Sequence, residues 1–300
     1  MRPMPEDRPV LAPLWRAALW MMGSILSFSA IAIASRMVKH RHDTFEILTY
    51  RSLIGVVLVV GIAAALGQLH RIRARRLHAH VLRNAVHFSG QALWLYAILT
   101  IPLAQAVALE FTSPLWVVLA APLVLGERLT LAKMLAALIG FGGVLIVARP
   151  DFGHVEAGVV AGFAASLFFA ATQILTKRLT RHEDIVTILF WLVVTQSVFG
   201  LILASWDGQI ALPDAQTLPY LALIAAGGLS AHFCLTSALA LAPASQVVPM
   251  DFARLPLLAL IGALFYGEPL SLGLALGAGL ILLANGITLR SARARPAARD

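Results

Sequence analysis

Continuous apolar runs separated by short polar connections make up most of this chain, and inside the runs there is no strict alternation of polar and apolar positions. A helix needs about 20 mostly apolar residues to cross a hydrocarbon core of about 30 Å. Ten runs meet that length: 17–35, 44–66, 84–101, 103–125, 131–148, 157–176, 184–205, 217–240, 243–266 and 270–289. A transmembrane β-barrel would require period-two alternation, so the pattern predicts an all-α, polytopic membrane protein with ten transmembrane helices. The first run is longer than the apolar core of a signal peptide and is retained as a helix. The longest connection, 67–83, is a basic run, and no stretch has the length of a soluble domain.

The chain also repeats itself. At an offset of 141 residues, Pro102, Gln105, Phe111, Gly126 and Glu127 fall on Pro243, Gln246, Phe252, Gly267 and Glu268. In the same register acid meets acid (Glu110 with Asp251), and Arg36, Asp43 and Tyr50 meet Lys177, Asp184 and Trp191. This divides the chain into five-helix units at 1–150 and 151–300. Five is odd, so equivalent helices are expected to cross in opposite directions, which gives two inverted repeats as in many secondary transporters.

Composition agrees with a membrane solvent: 59% of the 300 residues are hydrophobic and only 13% charged, against about a quarter charged in soluble proteins. Mean hydropathy is +0.83. With the N-terminus inside, 17 of the 23 Lys and Arg residues fall on cytoplasmic connections, which predicts an inner-membrane protein with both termini cytoplasmic. The net charge of +8 is then a topology signal and a contact with anionic lipid. The 70–83 run has no nucleic-acid module around it, so no nucleic-acid partner is expected. Cys234 is the single cysteine and lies in a span, so no intramolecular disulfide, metal centre or cofactor is expected.

Charge inside the spans carries the candidate chemistry, because it is costly there and is normally paired or turned towards water. Arg51, Glu110, Asp251 and Arg254 are such residues. Asp251 and Arg254 stand at helical i,i+3 spacing, and Arg51 and Glu110 are expected at one depth as an interhelical pair. Asn84, His87, Gln91 and Trp94 share one helix face, and the repeat aligns His232 with Gln91. Trp20, Ser24 and Ser27 form a weaker stripe. Spans four and nine are both interrupted by proline, at Pro114 and Pro122 and at Pro249 and Pro256. Interrupted helices at corresponding positions point to a substrate site at mid-depth. Gly158 with Gly162 and Gly273 with Gly277 are small-xxx-small faces suited to internal packing or to a homodimer.

Ser113-Pro114-Leu115, then Gly126-Glu127-Arg128-Leu129-Thr130, then a span with Gly140, Gly142 and Gly143, resemble the EamA family of the drug/metabolite transporter superfamily. The resemblance extends over nearly the whole chain, and Arg51 resembles the arginine often found in that family's second span. It implies a substrate cavity between the halves, opening alternately to each side. The second half keeps Gly267-Glu268-Pro269-Leu270-Ser271 but has Ala253-Arg254-Leu255-Pro256 in place of the Ser-Pro element.

The expected function is therefore secondary transport of a small organic metabolite, read as export of an amino acid or similar zwitterion. Arg51, Arg254, Glu110 and Asp251 would meet its charges, Trp94, Tyr96, Trp116 and Trp191 its apolar part, and Gln105 and Gln246 would orient it, beside His87, Gln91 and His232. No G-x-x-x-x-G-K-[ST] loop is present for ATP. The alternatives are an intramembrane enzyme, for which no nucleophile or metal constellation is visible, and a non-transporting receptor or assembly subunit.

Overall fold

In the computed structural model, residues 11–126, 130–148, 156–206, 208–267 and 271–293 are described. Among them there are helices and no strand. The first unit consists of α1 (Leu11–Val38), α2 (Thr44–Ala65), α3 (Leu77–Thr100), α4 (Leu103–Glu110), α5 (Ser113–Leu125) and α6 (Leu131–Ala148). The second consists of α7 (Ala157–Leu179), α8 (Ile185–Ala204), α9 (Leu218–Leu241), α10 (Ala244–Val247), a 3-10 turn (Val248–Ala253), α11 (Arg254–Tyr266) and α12 (Leu272–Arg293). With each interrupted helix counted as one rod, the described residues form ten rods, which fits the ten runs.

Six helical segments among the described residues are long and apolar enough to cross a membrane, one of them running through the α4–α5 break. α3 is not among them. It begins at Leu77 rather than at the expected residue 84 and buries His80, Arg83, Asn84, His87 and Gln91. A helix with that much polar surface suits a membrane protein when the polar face is turned inward, as here.

Both interruptions have visible causes. α4 ends at Glu110, Thr112 Oγ1 donates to Leu109 O at 2.9 Å, and α5 restarts with Pro114 in its first turn, where the missing N–H is no loss. In the second unit α10 lasts four residues, and a 3-10 turn containing Pro249 leads into α11 at Arg254. The side chains of Pro249 and Pro256 lie outside the described residues. So do Glu127 to Leu129, Glu268 to Leu270, Arg149 and the tail beyond 293; the glycines before the two Gly-Glu motifs do not. Gly126 (φ 70°) and Gly267 (φ 64°) end α5 and α11 in the left-handed conformation.

The repeat register reappears in the contacts. Arg36, on α1, donates through Nε and Nη2 to the carbonyls of Ile98 and Ile101, each at 3.2 Å, at the C-terminus of α3. Lys177, 141 positions on, reaches Leu239 O at 2.5 Å and Ala242 O at 2.8 Å at the C-terminus of α9. Each cation satisfies carbonyls that a helix end leaves unpaired. Tyr50 OH donates to Ala211 O at 2.8 Å, and its equivalent Trp191 Nε1 donates to Arg73 O at 2.8 Å. Arg36→Met and Lys177→Met should therefore lower stability by similar amounts, about 1–2 kcal/mol each, as read from thermal unfolding in detergent. A large effect at one site with none at the other would contradict the equivalence.

Helices from the two units interleave. α1 packs along α9, its counterpart α7 packs along α3, and α2 with α8 and α6 with α12 complete the reciprocal pairs. Close approach is needed at Gly158, where a Cβ would lie 2.5 Å from Thr100 Oγ1, and at Gly162, against Leu109. Those two glycines are thus taken up by contacts inside the chain. Outside the helices, Asp214 accepts from Thr217 N at 2.8 Å and Gln216 N at 3.0 Å before α9. The Thr217 donors hold its carboxyl below the usual range.

Candidate functional site

The breaks in the two interrupted rods bring the buried charges together. Arg254 is the first residue of α11, Glu110 the last of α4, and Asp251 lies in the 3-10 turn. Arg254 is 1% exposed; its Nη2 donates to Glu110 Oε1 and, at 2.9 Å, to Asp251 Oδ2. The rings of Phe28 and Phe111 each lie 5.1 Å from its guanidinium carbon, so two carboxylates and two π faces surround one cation. The expected Asp251–Arg254 pair is present. The expected Arg51–Glu110 pair is not: Arg254 lies next to the α4 terminus and takes Glu110. Arg51, 8% exposed, makes no ion pair or hydrogen bond with any described residue.

This triad borders a chamber of about 70 Å³ that extends between α1, α2, α3, α7 and α9. Eight of the expected residues line it: Arg51, His87, Gln91, Trp94, Glu110, His232, Asp251 and Arg254. His87, on α3, and His232, on α9, meet Nε2 to Nε2 at 3.0 Å with their rings nearly perpendicular. In the uncharged pair one ring donates and the other accepts, so the two carry different tautomers. Phe169 tilts against His87, and Phe28 meets His232 edge-on. Ser24 Oγ, Ser35 Oγ, Gln91 Oε1 and the Nδ1 atoms of both histidines, on residues that line this chamber, have no hydrogen-bond partner among the described residues. Buried polar atoms are nearly always hydrogen-bonded, so this wall has hydrogen-bonding capacity for a solute or for water.

Five expected residues are elsewhere. Tyr96 is 44% exposed, because two residues beyond Trp94 is more than half a helical turn around α3. The Trp116 indole donates to Ser166 Oγ at 3.3 Å, between α5 and α7. Trp191 holds the loop before α3 through Arg73 O. Gln105 is five residues back from Glu110, about one and a half turns away along α4, and neither it nor Gln246 lines the chamber.

Sequence reasoning missed Arg83, Phe28 and an α7 stripe of Phe169, Thr172, Gln173 and Thr176. The α7 residues stand at i, i+3, i+4 and i+7, a legible period. Arg83 stands four residues before His87 but was assigned to the basic loop; α3 in fact starts earlier. Its Nε donates to Thr176 Oγ1 and its Nη1 to Asn84 Oδ1, both at 2.9 Å. Among the described residues no three His, Cys, Asp or Glu side chains gather as metal ligands would.

Apolar helix exteriors around a charged, hydrogen-bonding chamber are the build of a solute transporter rather than of an enzyme. The EamA-like transporter family matches over residues 15–149 and again over 156–290. The chain belongs to that family. It is 30% identical to a riboflavin transporter of Vibrio cholerae, over 89% of this chain and 91% of that one. It is 32% identical to a riboflavin transporter of Rhizobium johnstonii, over 91% of each. An S-adenosylmethionine uptake transporter of Rickettsia felis is 22% identical over 83% of this chain and 84% of its own. One solved crystal structure shares the fold, with a TM-score of 0.75 at 18% identity, covering 92% of this chain and 97% of that chain.

Proposed function

We propose that this transporter carries riboflavin, or a similar polar heteroaromatic solute, into the cell by alternating access. The observation that carries the reading is the run of riboflavin transporters at 28–32% identity over about nine tenths of the chain. The chamber suits such a solute: Phe28, Trp94 and Phe169 offer ring faces, and the unpartnered Ser, Gln and His atoms offer hydrogen bonds. Uptake is favoured over export because the S-adenosylmethionine relatives carry uptake in their names. Amino-acid export finds no counterpart among these relatives. Glu110 and Asp251 are both engaged by Arg254, so a zwitterion's ammonium would have to compete for them.

In this reading the two units are inverted, the protein sits in the inner membrane and both termini are cytoplasmic. At about 70 Å³ the chamber is well below the ~300–1,000 Å³ of small-molecule sites, so the helix pairs must part to admit substrate. Proteoliposomes should accumulate riboflavin, followed by its fluorescence, well above protein-free vesicles, and excess unlabelled riboflavin should compete with a radiolabelled tracer. Flux no greater than in protein-free vesicles would refute the reading.

A further inference from the structure

The chamber wall carries three guanidinium groups and two carboxylates, and the charges are unevenly shared. Both carboxylates are engaged by Arg254. Arg51 and Arg83 have no acid among the described residues, although Arg51 is 8% and Arg83 1% exposed. An uncompensated buried cation is expensive, and the described residues supply no acid for either.

Both are also held in place. Gly228 makes room for Arg51: a Cβ there would lie 2.7 Å from its Nε and 3.2 Å from its Cζ, so the guanidinium lies directly against the α9 backbone. Arg83 is fixed by Thr176 and Asn84, and Asn84 in turn donates to Trp191 O at 2.8 Å and Thr195 Oγ1 at 2.7 Å. That leaves Nη2 of Arg83, and all of the Arg51 fork, without an acceptor among the described residues. Planar guanidinium forks match the paired oxygens of carboxylate and phosphate.

We propose that Arg51 and Arg83 form an anion subsite of the transport chamber that binds an oxyanion, supplied either by an anionic group on the transported solute or by an inorganic anion entering with it. The proposal rests on the transporter reading above and adds the charge of the ligand to it. Gly228 stands at the repeat position of His87, so the second unit yields its side chain here to seat the first unit's arginine.

The test uses full-length protein in liposomes, with riboflavin uptake competed by riboflavin 5′-phosphate, in phosphate buffer and in a bulky sulfonate buffer. If the solute supplies the anion, the phosphate ester should compete about tenfold better than riboflavin itself, the size of one charge-assisted hydrogen bond. Arg51→Gln should abolish that preference and Arg51→Lys should keep most of it. If an inorganic anion is the ligand, the two flavins should compete alike, but riboflavin uptake should rise several-fold in phosphate over sulfonate, and Arg51→Gln should lose that dependence. Neither preference nor anion dependence, or either one unchanged in Arg51→Gln, overturns the proposal.

Should the wild-type protein move no riboflavin, the transport reading fails and the subsite is still read by thermal unfolding. Inorganic phosphate should raise the midpoint of the wild-type and Arg51→Lys proteins over sulfonate, and leave Arg51→Gln unmoved. Equal midpoints in the wild type overturn the subsite independently of any flavin.

Discussion

Arg254→Met is expected to destabilise the protein by about 3–5 kcal/mol, the cost of breaking a buried ion pair by removing one partner. Arg254 is 1% exposed and is the shared partner of Glu110 and Asp251. Without it two carboxylates face each other, and Glu110 sits at the negative end of α4. Unfolding of the purified variant in detergent, with its abundance in the membrane, measures the loss. Arg254→Met combined with Glu110→Gln and Asp251→Asn should recover most of it, because the uncompensated charges are then gone. A single variant within about 1 kcal/mol of wild type would show that the triad does not hold the two broken rods together.

Gly23→Cys should give the second large effect, with opposite sign. An added Cβ at Gly23 lies 3.7 Å from Cys234 Cβ and 2.8 Å from its Sγ, inside the range in which a disulfide closes without backbone movement. The bond would join α1 to α9 across the two units. Stabilisation of about 2–4 kcal/mol is expected on oxidation, reversed by reductant and absent when Cys234 is also replaced by Ala. Uptake should survive oxidation, because α1 and α9 pack along one another and are expected to move as one body. The moving bodies are then pairs that exchange helices between the units, and the His87–His232 contact lies between the α1–α9 and α3–α7 pairs. A block of uptake by oxidation that reductant relieves would instead place the sliding surface along α1 and α9.

Much of this was legible in the chain itself. Helix crossings follow from the length of apolar run that a hydrocarbon core demands, and the repeat is written in residues whose chemistry is local. Gly126 and Gly267 end helices with positive φ, and Gly67 and Gly208 in the connections also have positive φ, each pair 141 positions apart. Asp251 and Arg254 lie within one helical turn, and the polar face of α3 follows from period alone. Such features depend on neighbours three or four residues away, and sequence shows those neighbours directly.

Partner choice across helices was decided only by the tertiary structure. Glu110 has two arginines at plausible depth, and sequence carries no term for the rotation that turns Arg254 towards it and leaves Arg51 against Gly228. Sequence places His87 in the polar stripe of α3 and His232 on the equivalent helix, but only the packing of α3 and α9 brings their Nε2 atoms to 3.0 Å. Arg83 looked like one more loop cation, because hydropathy counts its charge and takes no account of Thr176 and Asn84, which make burial tolerable. Span length and helical face are properties of one segment in a fixed solvent; pairing depends on azimuth and distance between segments, and these are fixed only when the helices pack.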